Sequence, residues 1–399
     1  MTRTLLGVSV GWLGISLVAD GLPALLLPYQ LASDGASDAA TLGLITLLAL
    51  GVAAAIQPLA GHLADRVGRL PIAAAGTFIG IIGLGLLLQP GAALAGTVLA
   101  LAGVSVAQAG QQALLPDLVP PAMRGRGGGL KSAFDVAGAF IGFVILAALL
   151  GNGDPGAAVG ALGMALVASF GLTALLLGRG GFRRGDSIRR PLLDAYRLPL
   201  GQHRDLVTVV AARFLFLLGI YAVGRFLLFF VADRLGLLPE AAGEQAGTAL
   251  ALLAAITVLA SLPGGWLADR FGRRPLMVAG GALAAGGIGL LPFASSLELV
   301  ILFGSLMALG TAAFSSASWA LLTDVASPVE SGRLLGIAHL GTAGAAAAAG
   351  LFGPVIDAAG YGIAFSLAAL FALGGGLVAL RSAMPDGAPA LIGSVEGVR

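Results

Sequence analysis

Long apolar runs dominate this chain and restrict it to one kind of fold. The sequence contains twelve stretches of mostly apolar residues, separated by short polar segments. About 20 such residues form a helix long enough to cross a bilayer. Of the 399 residues, 58% are hydrophobic and 11% are charged, and one soluble core could not hide that much apolar surface from water. We therefore predict an all-α integral membrane protein with twelve transmembrane helices.

The first apolar run continues from Leu5 to Leu31, which is too long for a cleaved signal peptide, so we expect it to be retained as a helix. The 63 glycines suit helices that pack closely in lipid, because small residues let backbones approach each other. The predicted spans lie near residues 5–30, 39–60, 71–89, 91–115, 128–151, 156–178, 206–232, 246–263, 275–295, 298–322, 334–356 and 360–380.

Basic residues indicate the orientation of the chain. Nearly all of the 22 Lys and Arg residues lie beside the termini or in loops on the same side, and basic loops stay in the cytoplasm. We predict a multi-pass protein of the inner (plasma) membrane, with both termini cytoplasmic and the lipid bilayer around a monomer. The net charge of +2 follows from this sidedness, so we predict no nucleic-acid partner.

Two sequence blocks occur twice in the chain. The pattern Gly-x-Leu-Ala-Asp-Arg-x-Gly-Arg begins at Gly61 and again at Gly265, each time between two apolar runs. A second pattern, Ala-Leu-Leu-x-Asp, begins at Ala113 and again at Ala320. A six-helix unit used twice explains both repeats. We predict two pseudo-symmetric six-helix bundles with a cytoplasmic linker and tail, at residues 1–178, 206–381, 179–205 and 382–399, respectively.

With these repeats, the chain resembles the major facilitator superfamily of secondary transporters. The pattern Gly-x-x-x-Asp-Arg-x-Gly-Arg after the second helix is among the most specific marks of that family, and here it recurs after the eighth predicted helix. The resemblance covers nearly the whole chain. It implies two bundles around a central cavity, lined largely by helices 1, 4, 7 and 10, which opens to each side of the membrane in turn.

The repeated turns form a candidate cytoplasmic gate. Pairing of Arg69 with Asp117 would hold the first turn in one state and release it in another. Asp65 could cap a helix of the opposing half, where an acid is favoured. Alternatively, the turns only set the topology. The candidate gate residues are Gly61, Asp65, Arg66, Gly68, Arg69, Asp117, Gly265, Asp269, Arg270, Gly272, Arg273 and Asp324.

Ionisable residues inside apolar runs mark a candidate pathway, because a charge in hydrocarbon is costly unless it faces a cavity. Asp20 lies in the first run, and Arg225 occupies the corresponding position in the seventh. We predict that Asp20 carries the coupling proton or binds substrate. The alternatives are that Asp20 pairs with Arg225 to close the outer side, or that Asp20 caps a helix break at Gly21 and Pro23.

Polar side chains on the fourth and tenth predicted helices suggest another part of the cavity wall. The fourth helix carries three glutamines at positions i, i+3 and i+4, so their amides leave from one face. The repeat positions on the tenth helix carry two serines and a tryptophan, which could hydrogen-bond and stack on a small organic solute. Interhelical packing is the alternative. These residues are Gln108, Gln111, Gln112, Ser315, Ser318 and Trp319.

Four further residues complete the candidate pathway: Asp135, Arg213, Tyr221 and His339. Lys131 lies one turn from Asp135 and either neutralises it locally or leaves it to the cavity. Arg213 either snorkels to the inner surface or attracts an anionic substrate. His339 either titrates near neutral pH or packs between helices.

The motifs leave one leading function. The chain lacks the phosphate-binding pattern Gly-x-x-x-x-Gly-Lys-Ser/Thr, so we predict that a proton gradient or another ion gradient supplies the energy. It has no cysteine and three separated histidines, so we predict no metal and no cofactor. We predict a proton-coupled transporter of a small-molecule substrate, and not an enzyme. The alternatives are a drug or metabolite efflux antiporter of the same fold and a non-transporting receptor or sensor.

Overall fold

The computed structural model of the chain describes residues 2–35, 38–120, 123–178, 204–325 and 341–381. These residues form helices joined by short turns and contain no strand. Most of the predicted linker at 179–205 and the whole predicted tail at 382–399 lie outside the described residues. The fold can therefore be stated for the two helical halves.

Within the described residues, eleven helical stretches are long and apolar enough to cross a membrane, and the last of them has 41 residues, enough for two crossings. That stretch, Gly341–Arg381, is divided at Gly360, whose φ of 78° and ψ of 170° are not helical. The result is the predicted twelve-helix membrane fold. The first half contains α1 (Thr2–Ser33), α2 (Ala39–Val67), α3 (Arg69–Leu86), α4 (Ala93–Leu118), α5 (Arg124–Gly151) and α6 (Pro155–Leu177). The second half contains α7 (Arg204–Leu235), α8 (Pro239–Phe271), α9 (Arg273–Leu290), α10 (Leu297–Val325), α11 (341–359) and α12 (361–381).

Several helices extend past the predicted spans. The sequence predicts a span at 246–263, whereas α8 covers Pro239–Phe271. Hydropathy marks the part of a helix that crosses lipid, while polar residues and caps extend the helix beyond it. The side chain of Asp38, for example, accepts a hydrogen bond from the backbone N–H of Thr41 at 2.9 Å and so starts α2.

The two halves pack in the same way. In the first half, α1 packs on α5 and α6, and α4 packs on α2 and α3; in the second half, α10 packs on α8 and α9, and α7 packs on the α11–α12 stretch. The halves meet where α5 contacts α8 and where α2 contacts α11. These two contacts are equivalent by the repeat, so the halves are related by an approximate twofold axis.

Two membrane sides can be told apart. We call the side with the turns at Gly68 and Gly272 the motif face, and the side with the turns at Gly35, Gly153, Gly236 and Gly360 the opposite face. The first helix runs from the motif face to the opposite face, and the helices alternate in direction after it.

Glycines bring α3 and α4 into backbone contact. A Cβ atom on Gly83 would lie 2.1 Å from the backbone nitrogen of Ala100, and one on Gly103 would lie 2.3 Å from that of Gly80. Because lipid provides no hydrophobic force between helices, such close packing is a main source of their association.

Replacing Gly83 with alanine is expected to destabilise the protein by about 1–3 kcal/mol, because a backbone atom cannot move aside for the new methyl group. Gly85→Ala on the same helix is the matched control, since a Cβ there meets nothing within 4 Å. The melting temperature of the detergent-solubilised protein measures both effects. Equal melting temperatures for the two variants would contradict the close contact of α3 with α4.

Candidate functional site in a cavity between the two halves

A cavity of about 460 Å³ lies between the two halves. Helices α1, α2, α4 and α5 form one wall, and α7, α8, α10 and α11 form the other. Most of the lining is apolar, with a few convergent polar side chains, which is the usual form of a small-molecule site. The polar lining residues are Asp20, Gln57, Ser105, Gln108, Tyr221, Arg225, Thr257, Thr311 and Thr342.

Asp20 opens onto this cavity from α1. Its side chain is exposed to the cavity, although other helices surround it. The residue precedes a π-helical turn, Leu22–Leu26, and such turns are frequent at functional sites. Gly21 keeps helical dihedral angles, and no side chain caps the turn. The helix therefore does not break here, and the alternative that Asp20 caps a break is wrong.

Arg225 reaches the same cavity from α7. The residue is 5% exposed, and its Nη2 donates to the carbonyl oxygen of Ala346 at 3.4 Å. Its Nε and Nη1 have no hydrogen-bond partner among the described residues. Asp20 and Arg225 line one cavity but do not form an ion pair in this structure. The alternative that Asp20 and Arg225 pair to close the outer side is therefore not observed in this conformation. Two donors of the guanidinium are therefore buried and unpaired beside the cavity.

The three glutamines of α4 have different surroundings. Gln108 lines the cavity. Gln111 is buried against α1 and donates to the carbonyl oxygen of Val8 at 3.2 Å, beside Gly11. Gln112 is half-buried and lies outside the lining. Gln111 therefore faces a neighbouring helix and not the cavity. That Gln112 lines the pathway stays a prediction.

Ser318 and Trp319 of α10 contact Arg213 of α7 and are not part of the cavity lining. Arg213 is 4% exposed, donates to the hydroxyl of Ser318 and lies over the ring of Trp319, 4.4 Å from its centroid. Ser318 in turn donates to the carbonyl oxygen of Ser315 at 3.1 Å. These contacts hold α7 to α10. Arg213 is thus buried between α7 and α10 and is not part of the cavity lining. Its role in attracting an anion stays a prediction.

Asp135 is neutralised within the first half. The Nζ of Lys131 lies 2.9 Å from its carboxylate, and the hydroxyl of Ser16 also donates to it. Lys131 lies 3.6 Å above the centroid of the Trp12 ring. Of the two alternatives from the sequence, the structure supports local neutralisation. His339 lies outside the described residues.

At the motif face, Arg69 joins two acids. Its Nε donates to Asp117 at 2.8 Å, and its Nη1 pairs with Asp65 in the same half. Gly68 has a φ of 121°, which side-chain-bearing residues rarely adopt, so the turn before Arg69 requires glycine. The structure thus contains the expected contact of Arg69 with Asp117. That Asp65 caps a helix of the other half stays a prediction, because residues 326–340 lie outside the described part of the chain. That these residues form a gate stays a prediction.

The second turn has a similar backbone but different partners. Gly272 has a φ of 88°, and Arg273 donates to the carbonyl oxygen of Ala320 at 3.0 Å. Arg270 lies 5.1 Å from the ring centroid of Trp266. The side chain of Asp324 lies outside the described part of the chain. Of the other candidate gate residues, the exposed ones are Arg66 and Asp269, and those at which an added Cβ would meet nothing within 4 Å are Gly61 and Gly265.

At the opposite face, the two halves touch directly. A Cβ atom on Gly43 of α2 would lie 2.2 Å from the carbonyl oxygen of Gly350 of α11. Beside this contact, the carboxylate of Asp357 on α11 accepts hydrogen bonds from the backbone N–H groups of Ala39 at 2.9 Å and Ala40 at 2.7 Å. A residue of one half therefore caps the first turn of a helix in the other, where an acid is favoured. These contacts join the two halves at the opposite face.

A metal site is not formed by the described residues, which contain no group of three or more His, Cys, Asp or Glu side chains able to hold an ion. The chemistry of the cavity therefore depends on its carboxylate, its guanidinium, and neutral hydroxyl and amide groups.

Comparison with known proteins agrees with this architecture. The family model described as Major Facilitator Superfamily matches residues 12–243 and 209–396. The uncharacterized MFS-type transporter C18.02 of Schizosaccharomyces pombe is 33% identical over 132 residues, and this match spans 32% of this chain and 29% of that protein.

Solved structures share the fold at low identity. A mutant of the nucleoside transporter NupG has a TM-score of 0.74 at 13% identity, covering 96% of this chain and 100% of that one. A mutant of the peptide transporter POT has a TM-score of 0.74 at 16% identity, covering 94% and 93%. A bacterial homologue of the human lysosomal transporter Spinster, inward-facing and occupied, has a TM-score of 0.68 at 15% identity, covering 96% and 95%. At these identities the likeness concerns the fold alone.

Proposed function

This chain belongs to the major facilitator superfamily and is a multi-pass membrane transporter, not an enzyme, and from that premise we propose that it moves a small organic solute together with protons. The observation that carries this proposal is the position of Asp20. Its carboxyl group opens onto a cavity between the two halves, does not serve as a helix cap, and forms no ion pair with any described residue. Ionisable side chains at such positions mark substrate or proton pathways.

The transport cycle follows from the contacts between the halves. We assign closure of the opposite face to the approach of Gly43 to Gly350 and to the cap from Asp357. A solute can cross only if these contacts separate while the motif face closes, so the halves exchange one set of contacts for another. The motif face is the cytoplasmic side in this proposal, because basic residues collect there.

Proton coupling needs a group whose charge can change inside the cavity. Asp20 is such a group, and the charged residues around it are Arg225 on α7 and the paired Asp135 and Lys131 on α5. Protonation of Asp20 removes one charge from the cavity. It thereby changes the free energy of the conformational change that turns the cavity from one side of the membrane to the other. This links proton binding to the change of access.

The proposal can be tested with purified protein in proteoliposomes. A thermal-shift screen against sugars, amino acids, organic acids and lipophilic cations would first identify a bound solute. We expect this solute to accumulate only when a pH gradient is imposed. The direction of the effective gradient distinguishes uptake with protons from efflux in exchange for protons. Solute movement that equilibrates downhill and ignores the pH gradient would contradict proton coupling.

The gate makes a separate prediction. Asp65→Asn is expected to reduce transport about tenfold, without loss of expression, because it removes one of the two acids that hold Arg69 at the motif face. Uptake by membrane vesicles, normalised to protein amount, measures the effect. Asp269→Asn, at the equivalent exposed position of the second turn, is the comparison and should have the smaller effect. Uptake near wild type in Asp65→Asn would refute the gate.

A further inference from the structure

We infer that the solute held in this cavity is a monoanionic organic acid with an apolar body, bound by Arg225 and carried with a proton on Asp20. The inference rests on the proposed function and names the substrate class of the same site. Three features of the cavity lead to it: the unpaired hydrogen-bond donors of Arg225, the apolar lining, and the net charge of the ionisable side chains.

The guanidinium of Arg225 is built to receive an acceptor. The residue is 5% exposed and lines the cavity, and its Nε and Nη1 have no hydrogen-bond partner. Its one hydrogen bond, to the carbonyl of Ala346, is long at 3.4 Å. Leaving buried guanidinium donors unpaired is costly. A rotation of the side chain toward the cavity would let a bound acceptor pair with them. The planar fork of N–H groups matches a carboxylate or sulfonate, which accepts two parallel hydrogen bonds.

The rest of the lining suits an apolar body. The cavity of about 460 Å³ has the size of a small-molecule site. A solute with many hydroxyl groups would leave most of them facing hydrocarbon, which is unfavourable without partners. A chain or ring of carbon atoms loses nothing there and gains from burial. The apolar lining includes Leu50, Leu101, Val104, Phe143, Leu253 and Met307.

The balance of charge assigns the proton. In the empty cavity an ionised Asp20 and Arg225 sum to zero, while Lys131 and Asp135 neutralise each other. Arg213 keeps its contacts with Ser318 and Trp319 outside the lining. An anion bound to Arg225 would add one negative charge, and a proton taken from water by Asp20 removes one. The empty and loaded cavities then carry the same charge, which avoids an added charge in the membrane interior. Anion and proton therefore move together without net charge.

Ligand binding tests the substrate class independently of transport. Hexanoate, hexan-1-ol and hexylammonium share one apolar chain and differ in charge. We expect hexanoate to raise the melting temperature of the solubilised protein, and hexylammonium to have no such effect. Arg225→Gln should weaken hexanoate binding at least about tenfold, as expected for loss of a charge-assisted bidentate contact. Arg234→Gln is the control, because Arg234 is exposed at the opposite face and outside the cavity.

Arg225→Gln could weaken binding by disturbing the fold. Arg225→Lys is a second variant that keeps the positive charge. Lysine keeps the charge without the planar fork, so this variant should still prefer hexanoate to hexylammonium, with weaker binding than wild type. If Arg225→Gln does not fold, the substrate class is tested by the Arg225→Lys variant and by the ligand preference of the wild type. Equal or tighter binding of hexylammonium by the wild type, or hexanoate binding that neither variant weakens, would overturn the inference.

Proton uptake tests the pairing of anion and proton. In weakly buffered solution, hexanoate binding should take up protons, at most one per anion, and its affinity should fall as the pH rises. Asp20→Asn should bind hexanoate without uptake and without this pH dependence. Binding without proton uptake in the wild type would overturn the assignment to Asp20.

The two proposals fail differently. If a neutral or cationic solute is accumulated under a pH gradient while hexanoate does not bind, the substrate class is wrong and proton-coupled transport stands. Benzenesulfonate is a second test anion, because it stays ionised and does not cross lipid alone. If hexanoate binds with proton uptake but the protein transports neither hexanoate nor benzenesulfonate, the binding assignment stands and the transport function is wrong.

Discussion

Asp20→Asn is expected to abolish uphill accumulation of solute while leaving exchange of solute across the membrane in place. The amide has nearly the shape of the protonated carboxyl group but cannot release or take up the proton. A pH difference of one unit, worth about 1.4 kcal/mol, supports about tenfold accumulation when one proton moves with each solute. In proteoliposomes the variant should therefore reach equal concentrations on both sides.

A matched control for this experiment is Asp34→Asn. Asp34 lies at the exposed end of the same helix, α1, and outside the cavity. This variant should accumulate solute like the wild type. Unchanged accumulation by Asp20→Asn would remove Asp20 from the coupling role, whereas loss of both exchange and accumulation would make it a solute-binding residue only.

Asp357→Ala is expected to open the opposite face. The substitution removes two hydrogen bonds that join α11 to the first turn of α2, and loss of a helix cap of this kind amounts to about 0.5–2 kcal/mol. A shift of about 1.4 kcal/mol changes the ratio of closed to open molecules about tenfold. The chain has no cysteine, so spin labels can be attached at Gln89→Cys and Ser295→Cys alone. We expect a longer distance between these labels to become populated.

The control for this prediction is Asp38→Ala. Asp38 caps the same end of α2 from its own half, through the N–H of Thr41. Its loss weakens the helix end without removing a link between the halves. If Asp38→Ala and Asp357→Ala change the label distance equally, the effect belongs to the helix end and not to closure between the halves.

The fold could be predicted because its determinants are local and repeated. Apolar length predicts each crossing, and the recurring turn, with glycines at 68 and 272, predicts two related halves. Two residues of the cavity, Asp20 and Arg225, could be found because a charge in an apolar run requires a polar surrounding. Pairing of Arg69 with Asp117 followed from opposite charges at the same membrane depth.

The contacts between helices could not be predicted in the same way. Helical periodicity gives the face on which Gln111 lies but not the neighbour that covers that face, which is Val8 of α1. Thr311 lines the cavity, and its hydroxyl donates to the carbonyl of Met307 in the same helix. Because a threonine can satisfy its hydroxyl within its own helix, its presence in an apolar run does not indicate a cavity. Asp357 lies one turn after Gly353-Pro354, a pair that indicates only a bend in the helix. Its contact with Ala39 depends on how the two halves assemble.

Opposite changes at the two faces of the membrane would test the central claim most directly. A second label pair, at Val67→Cys and Phe271→Cys, reports on the motif face, while the pair at residues 89 and 295 reports on the opposite face. Both are measured with and without the solute, at low and at high pH. The account predicts that one distance lengthens whenever the other shortens. Distances that stay constant under all conditions, or that change in the same direction, would contradict alternating access through this cavity.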